Sequence, residues 1–143
     1  MTRFSAPIAE QIWDMKYRFK KADGTPIDET VEQTWERIAG ALAEAEKDPK
    51  AWGPKFYSAL EDFKYLPAGR ITAGAGTARQ VTLFNCFVMG TVPDSMGGIF
   101  DMLKEAALTM QQGGGIGYDF STIRPKGALV LGVAADASGP LSF

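Results

Sequence analysis

Histidine is absent from this 143-residue chain, and cysteine occurs once. The first absence removes the commonest general base and the commonest zinc ligand together. A single cysteine excludes an intrachain disulfide and a thiolate metal cluster, so no metal site is expected. One free thiol fits a reducing, cytoplasmic setting. No run approaches the roughly 18 apolar residues of a membrane helix, and the N-terminus lacks a signal-peptide pattern, so no membrane association is expected. Basic charge is in no excess either: 15 Lys and Arg face 17 Asp and Glu. That balance excludes a surface that coats nucleic acid, but leaves enough cations for one bound nucleotide. Neither the Walker pattern nor Gly-x-Gly-x-x-Gly occurs, and no internal repeat is present.

What the chain does have is apolar residues, 45% of the total, enough for the core of one modest domain. Ile8, Ile12, Met15 and Phe19 fall at helical spacing within residues 5–20, with Trp13 and Tyr17 alongside. A turn follows at Gly24 and Pro26. Val31, Trp35, Ile38, Leu42 and Ala45 predict a second helix. Thr30 and Gln33 resemble its capping box, with Asp28 as the other candidate cap. Asp48-Pro49 ends that helix. Trp52, Phe56, Leu60 and Phe63 predict a third, with Pro54 in its first turn. These aromatics read as core, and nothing in this half carries chemistry. Residues 66–77 are small and glycine-rich, which predicts a loop passing close to something.

Polar groups then gather in residues 82–127. The apolar run around Cys86 predicts a buried strand. Asp94 or Ser95 caps the helix that follows, whose stripe is Ile99, Leu103, Ala106 and Met110. Gly113, Gly114 and Gly115 stop it. A strand is expected at 116–120, a basic turn at 121–127 and a second strand at 128–133. Residues 137–143 have a loop composition. Helices first, then alternating strands and helices, predict an α/β fold with a helical N-terminal piece.

Each candidate has a plain reading beside the functional one. Cys86 is either a small core hydrophobe or a redox thiol that needs a partner sulfur from elsewhere. The glycine cluster is a turn, or a backbone brought against a substrate. Asp94, Ser95, Arg124 and Lys126 are solvated turn charges, or a nucleotide site. In the second case the helix N-terminus and two cations meet a triphosphate and the carboxylate meets a ribose hydroxyl.

Five runs resemble the ribonucleotide reductases. They are Leu-Pro-Ala-Gly-Arg-Ile (66–71), Leu-Phe-Asn-Cys-Phe-Val (83–88), Asp94-Ser95-Met96, the fifteen residues 113–127 and Ala-Ser-Gly-Pro-Leu-Ser-Phe (137–143). The best match is to the adenosylcobalamin-dependent, class II type. Residues 1–65 resemble that family's N-terminal helical region. Residues 66–143 resemble the start of its ten-stranded catalytic α/β barrel, here incomplete. The resemblance implies that Cys86 is one member of the redox pair that reduces the ribose. It implies that Asn85, Gly114 and Gly115 line the ribonucleotide substrate. Asp94, Ser95, Met96, Arg124 and Lys126 would bind a deoxynucleoside triphosphate (dNTP) effector. It further implies adenosylcobalamin as cofactor, a homodimer through the helix at 95–112, an external dithiol reductant such as thioredoxin, and the remainder of the reductase chain as partner. The family's other working cysteines have no counterpart here. The chain is therefore expected to be the N-terminal part of a reductase and inactive alone. The alternative is a non-catalytic nucleotide-binding or assembly module derived from one.

Overall fold

The computed structural model describes residues 3–142. Phe143, the last residue of the fifth resembling run, lies outside them. The chain divides into two compact units, one through Asn85 and one from Cys86 onward.

The first unit is helical: α1 Pro7–Lys16, α2 Val31–Ala43, α3 Pro49–Leu60 and a short α4 Gly69–Gly74. Thr30 caps α2 by accepting the Gln33 N–H. The return arm is displaced from the expected box, because the Gln33 side chain accepts from the Glu29 N–H instead. Asp48 caps α3 and Pro49 occupies its first turn, where a missing N–H costs nothing. That earlier start leaves Pro54 inside the helix rather than in the first turn.

The faces differ from expectation more than the helices do. Trp13 is the buried residue of α1, while Ile8, Ile12 and Met15 are exposed, Met15 by 70%. The inward face is chosen by a polar contact: the Trp13 indole N–H donates to Thr34 Oγ1 at 3.1 Å. The expected stripe of α3 also breaks, because the helix ends at Leu60. Phe63 reaches the core through a left-handed turn, with φ 55° at Asp62 and 58° at Phe63. Its ring stands edge-on to Trp35, with centroids 5.1 Å apart. The expected loop at 66–77 contains α4, so glycine content misled the reading there.

A polar cluster that no local pattern announced lies within this unit. Asp28 and Arg37 form a salt bridge at 3.0 Å, with side chains only 4% and 8% exposed. Asp28 Oδ2 also accepts from Thr34 Oγ1 and from the Phe19 N–H. Arg37 donates to the backbone carbonyls of Tyr17, Thr72 and Ala75. The pair thus links the end of α1, the body of α2 and α4. Gly76, at φ +72°, leaves room for Arg37: a Cβ there would fall 2.8 Å from Arg37 Cγ.

The second unit alternates strands and helices, and its described residues form no closed barrel. Strand β1 Cys86–Thr91 leads into α5 Met96–Gln111 and then β2 Gly115–Asp119, which pairs parallel to β1. Gly113 at φ +90° ends α5. Its N–H donates to the Met110 carbonyl and the Gly114 N–H to the Thr109 carbonyl, the two bonds of a Schellman cap. The Tyr118 hydroxyl donates to the Met102 carbonyl and ties β2 to α5. Cys86 and Val88 are exposed, contrary to the expected buried strand. Parallel strands are buried when both sheet faces are covered; this sheet has two strands and packs against one helix. The strand expected at 128–133 is cut to β3 Leu129–Val130. The chain turns back through Ala134, at φ +50°, into an unanticipated antiparallel β4 Ala135–Asp136.

Candidate functional site

Two groups of candidate residues lie at opposite ends of β1. Cys86 begins the strand and is in register with Gly115, the first residue of β2. Gly114, just before it, is buried, and a Cβ there would fall 2.7 Å from the Phe87 ring. Gly114 thus allows the α5 cap to close onto β1. Asn85 belongs to the helical unit. Its Oδ1 accepts the Arg70 N–H at 3.2 Å, in the first turn of α4.

The other group lies beyond the C-terminal end of β1, about 16 Å along the strand from Cys86. Ser95 is the cap of α5, its Oγ accepting the Gly98 N–H at 3.1 Å. Gly98 is needed there, since a Cβ would fall 2.6 Å from Pro93. Asp94 does not cap the helix but faces the turn after β2. That turn is fastened to the end of β1 from both sides. Asp119 accepts from Thr91 Oγ1 and from the Ser121 N–H, and Thr122 Oγ1 donates to the Val92 carbonyl. Buried Ile123 anchors its middle. Arg124 is thereby set opposite Asp94. The Arg124 backbone N–H reaches Asp94 Oδ1 at 3.2 Å and its Nε reaches Oδ2 at 2.8 Å. These donors, the backbone N–H foremost, hold the Asp94 carboxyl below its ordinary pKa.

Asp94, Ser95, Met96 and Arg124 line one cavity of about 360 Å³, with Ile99, Ile123 and Val130 as its apolar wall. Four of the five expected effector residues therefore converge. Lys126 does not line this cavity. It is exposed, and its backbone runs close to Gly139: a Cβ on buried Gly139, at φ +85°, would fall 2.9 Å from the Lys126 backbone nitrogen. Asp136, Ala137, Ser138 and Gly139 complete the lining. The sequence reading gave them no role, although 137–143 was among the resembling runs. The hairpin is held in place by the Gly127 N–H donating to the Ala137 carbonyl and the Ala137 N–H to the Ala128 carbonyl, both at 2.8 Å. A cavity of this size, apolar on one side and with a helix N-terminus and a guanidinium on the other, suits a nucleotide.

The helical unit has a larger cavity of about 550 Å³ between α1, α2 and residues 63–72, walled by Trp13, Trp35 and Phe63. Neither of these two cavities is large enough for a corrin macrocycle with its nucleotide tail. Among them no three His, Cys, Asp or Glu side chains are grouped to hold a metal ion. No helix among them is long and apolar enough to cross a membrane.

Comparison with known proteins agrees with the division of the fold. Residues 3–80 match the ribonucleotide reductase all-alpha domain, and residues 84–143 match the ribonucleotide reductase barrel domain. The chain is 36% identical over 128 residues to the ribonucleoside-diphosphate reductase subunit alpha of Helicobacter pylori, which covers 90% of this chain and 16% of that protein. It is 34% identical over 133 residues to a vitamin B12-dependent ribonucleoside-diphosphate reductase of Mycobacterium tuberculosis, 90% of this chain and 19% of that one. A protein of the same name from Thermoplasma acidophilum is 30% identical over 138 residues, 96% of this chain and 17% of that one. The chain thus spans less than a fifth of the length of these relatives.

Proposed function

The chain belongs to the ribonucleotide reductase family, and on that premise we propose that it is the N-terminal part of a large catalytic chain and carries its dNTP effector site. The observation that carries this reading is the convergence of Asp94, Ser95, Met96 and Arg124 on one nucleotide-sized cavity at the N-terminus of α5. Arg124 supplies the charge for the phosphates, the first turn of α5 supplies N–H groups, and Ile99, Ile123 and Val130 face the base and sugar. Lys126, two residues after Arg124, adds a second positive charge. Cys86 is the barrel-side member of the dithiol that reduces the ribose 2′ carbon, with Asn85, Gly114 and Gly115 beside the ribonucleotide.

The remaining parts of the reaction come from partners. The rest of the reductase chain supplies the second redox thiol and the radical-bearing thiol, and an external dithiol such as thioredoxin regenerates the pair. Adenosylcobalamin, when bound by the complete enzyme, supplies the radical; the vitamin B12-dependent names of some relatives support this type. Met96, Phe100, Leu103 and Met110 form an exposed apolar stripe along α5 that suits a homodimer contact. The enzyme would work in the cytoplasm. The second reading is a nucleotide-binding or assembly module without catalysis, derived from a reductase.

Titration of each dNTP into the complete reductase tests the effector site. Arg124→Ala is expected to weaken binding roughly 10- to 150-fold, the scale of a charge-assisted contact, and to blur the choice among ribonucleotides. Unchanged affinity with preserved preference would return Arg124 to a solvated turn charge. Effector binding in an otherwise complete assembly that performs no reduction would favour the module.

A further inference from the structure

We propose that the cavity of the helical unit is a binding site for an uncharged, planar fused-ring molecule bearing a hydrogen-bond acceptor, which meets the Trp35 indole N–H. The cavity measures about 550 Å³, a size suited to a small organic ligand. It belongs wholly to the unit that ends at Asn85 and is independent of the nucleotide reading. Its floor is core, since Trp13, Trp35, Thr34 and Ile38 are all buried. Its rim is open, with Tyr65 exposed by 64% and Leu66 by 70%. Phe4 closes one side, its ring 5.5 Å from that of Trp13 and 5.4 Å from that of Phe63. The arm carrying Phe4 is pinned by Arg3, which pairs with Glu32 and Asp62.

The polar atoms on these walls are mostly spent within the protein. Thr34 Oγ1 donates to Asp28 and accepts the Trp13 indole N–H. Thr72 Oγ1 donates to the Pro67 carbonyl. Trp35 differs: it is only 5% exposed, yet its indole N–H has no partner among the described residues. No sealed side-chain nitrogen or oxygen among them lacks a partner. This N–H therefore meets open space, and Trp35 lines this cavity. An indole N–H only donates, so the ligand brings an acceptor. The rings of Trp13, Trp35 and Phe63 favour a flat partner that stacks or packs edge-on. Aromatic walls can also hold a cation, but no carboxylate lines this cavity. The Arg18 guanidinium already stands over the Trp13 ring at 5.0 Å, and Asp28, behind Thr34, is neutralised by Arg37. A charge of either sign would lose its water and gain no partner.

Quinoline, naphthalene and N-methylquinolinium share a shape and differ in acceptor and charge. Their binding to the complete reductase should be measured by calorimetry with dNTP and ribonucleotide present in excess, so that nucleotide sites are occupied. Quinoline and naphthalene should bind, and the cation should bind at least about 10-fold more weakly than quinoline. Trp35→Phe should weaken quinoline roughly 3- to 10-fold more than naphthalene, the scale of one hydrogen bond. The comparison cancels the packing that both ligands lose. Ala9→Phe, which fills the cavity from α1, should abolish binding of both. Should either variant fail to fold, the other carries the test. No binding of quinoline to the unsubstituted enzyme would overturn the proposal, as when another part of the reductase fills the cavity. Equal losses of quinoline and naphthalene in Trp35→Phe, or binding indifferent to Ala9→Phe, would overturn it too. Tighter binding of the cation would make the cavity an aromatic cage for ammonium groups, against the proposal.

Discussion

Replacing Cys86 by serine in the complete reductase should abolish multiple turnover. Reduction of a ribose carbon takes two electrons, and a thiol pair supplies them by becoming a disulfide. This chain has one cysteine, so under the proposed function Cys86 must pair with a sulfur from the rest of the enzyme. Its position permits that: the thiol is free and exposed at the start of β1, in register with Gly115 of β2. A hydroxyl fills the same space but has no redox couple. Turnover with a dithiol reductant should therefore fall by about 10³-fold or more, the scale on which loss of a chemically participating side chain acts. Ribonucleotide binding should stay nearly unchanged. Steady-state reduction and equilibrium binding, measured on the same preparation, separate the two effects. Undiminished turnover would leave Cys86 an inert strand thiol.

The second large effect concerns stability. Asp28→Ala should destabilise the chain by about 3–5 kcal/mol, because it leaves the Arg37 charge buried without its partner. The guanidinium would keep its bonds to the carbonyls of Tyr17, Thr72 and Ala75, but those are neutral acceptors. Thr34 and the Phe19 N–H would lose an acceptor as well. The loss should be read from the midpoint of urea unfolding at constant slope. Removing Arg37 in addition should cost less than the sum of the two single substitutions, since the orphaned charge goes with it. A change below about 1 kcal/mol for Asp28→Ala would mean that water reaches the pair and screens it.

Both predictions rest on contacts that were unevenly legible in the sequence. Helix positions were readable because apolar periodicity and caps are local: Thr30, Ser95 and Gly113 act at the ends where their residue types place them. Helix faces were not. The stripe Ile8, Ile12, Met15 satisfies the helical period, yet Trp13 turns inward because Thr34 on another helix accepts its indole proton. The Asp28–Arg37 cluster had no signal, since its energetics arise from burial by α1 and α4 rather than from spacing. The helix α4 was hidden by glycines, and the hairpin β3–β4 by a run of small apolar residues that reads as one strand. At the candidate site, residue types suggested the nucleotide ligand, and the resemblance to a known family chose the residues. What spacing could not supply was the partnership of Asp94 with Arg124, which exists only because Thr91, Asp119 and Thr122 fold one turn onto the end of another strand.

Under the proposed function, this chain carries one half of the redox pair and the effector site of a reductase, and does not reduce ribonucleotides by itself. Ribonucleotide reduction with adenosylcobalamin and a dithiol should be measured for the 143-residue chain alone and for the complete reductase that contains it. The expected result is no product above the protein-free control for the chain alone, and effector-dependent reduction by the complete enzyme. Turnover by the chain alone, or reduction by the complete enzyme that is indifferent to every dNTP, would contradict it.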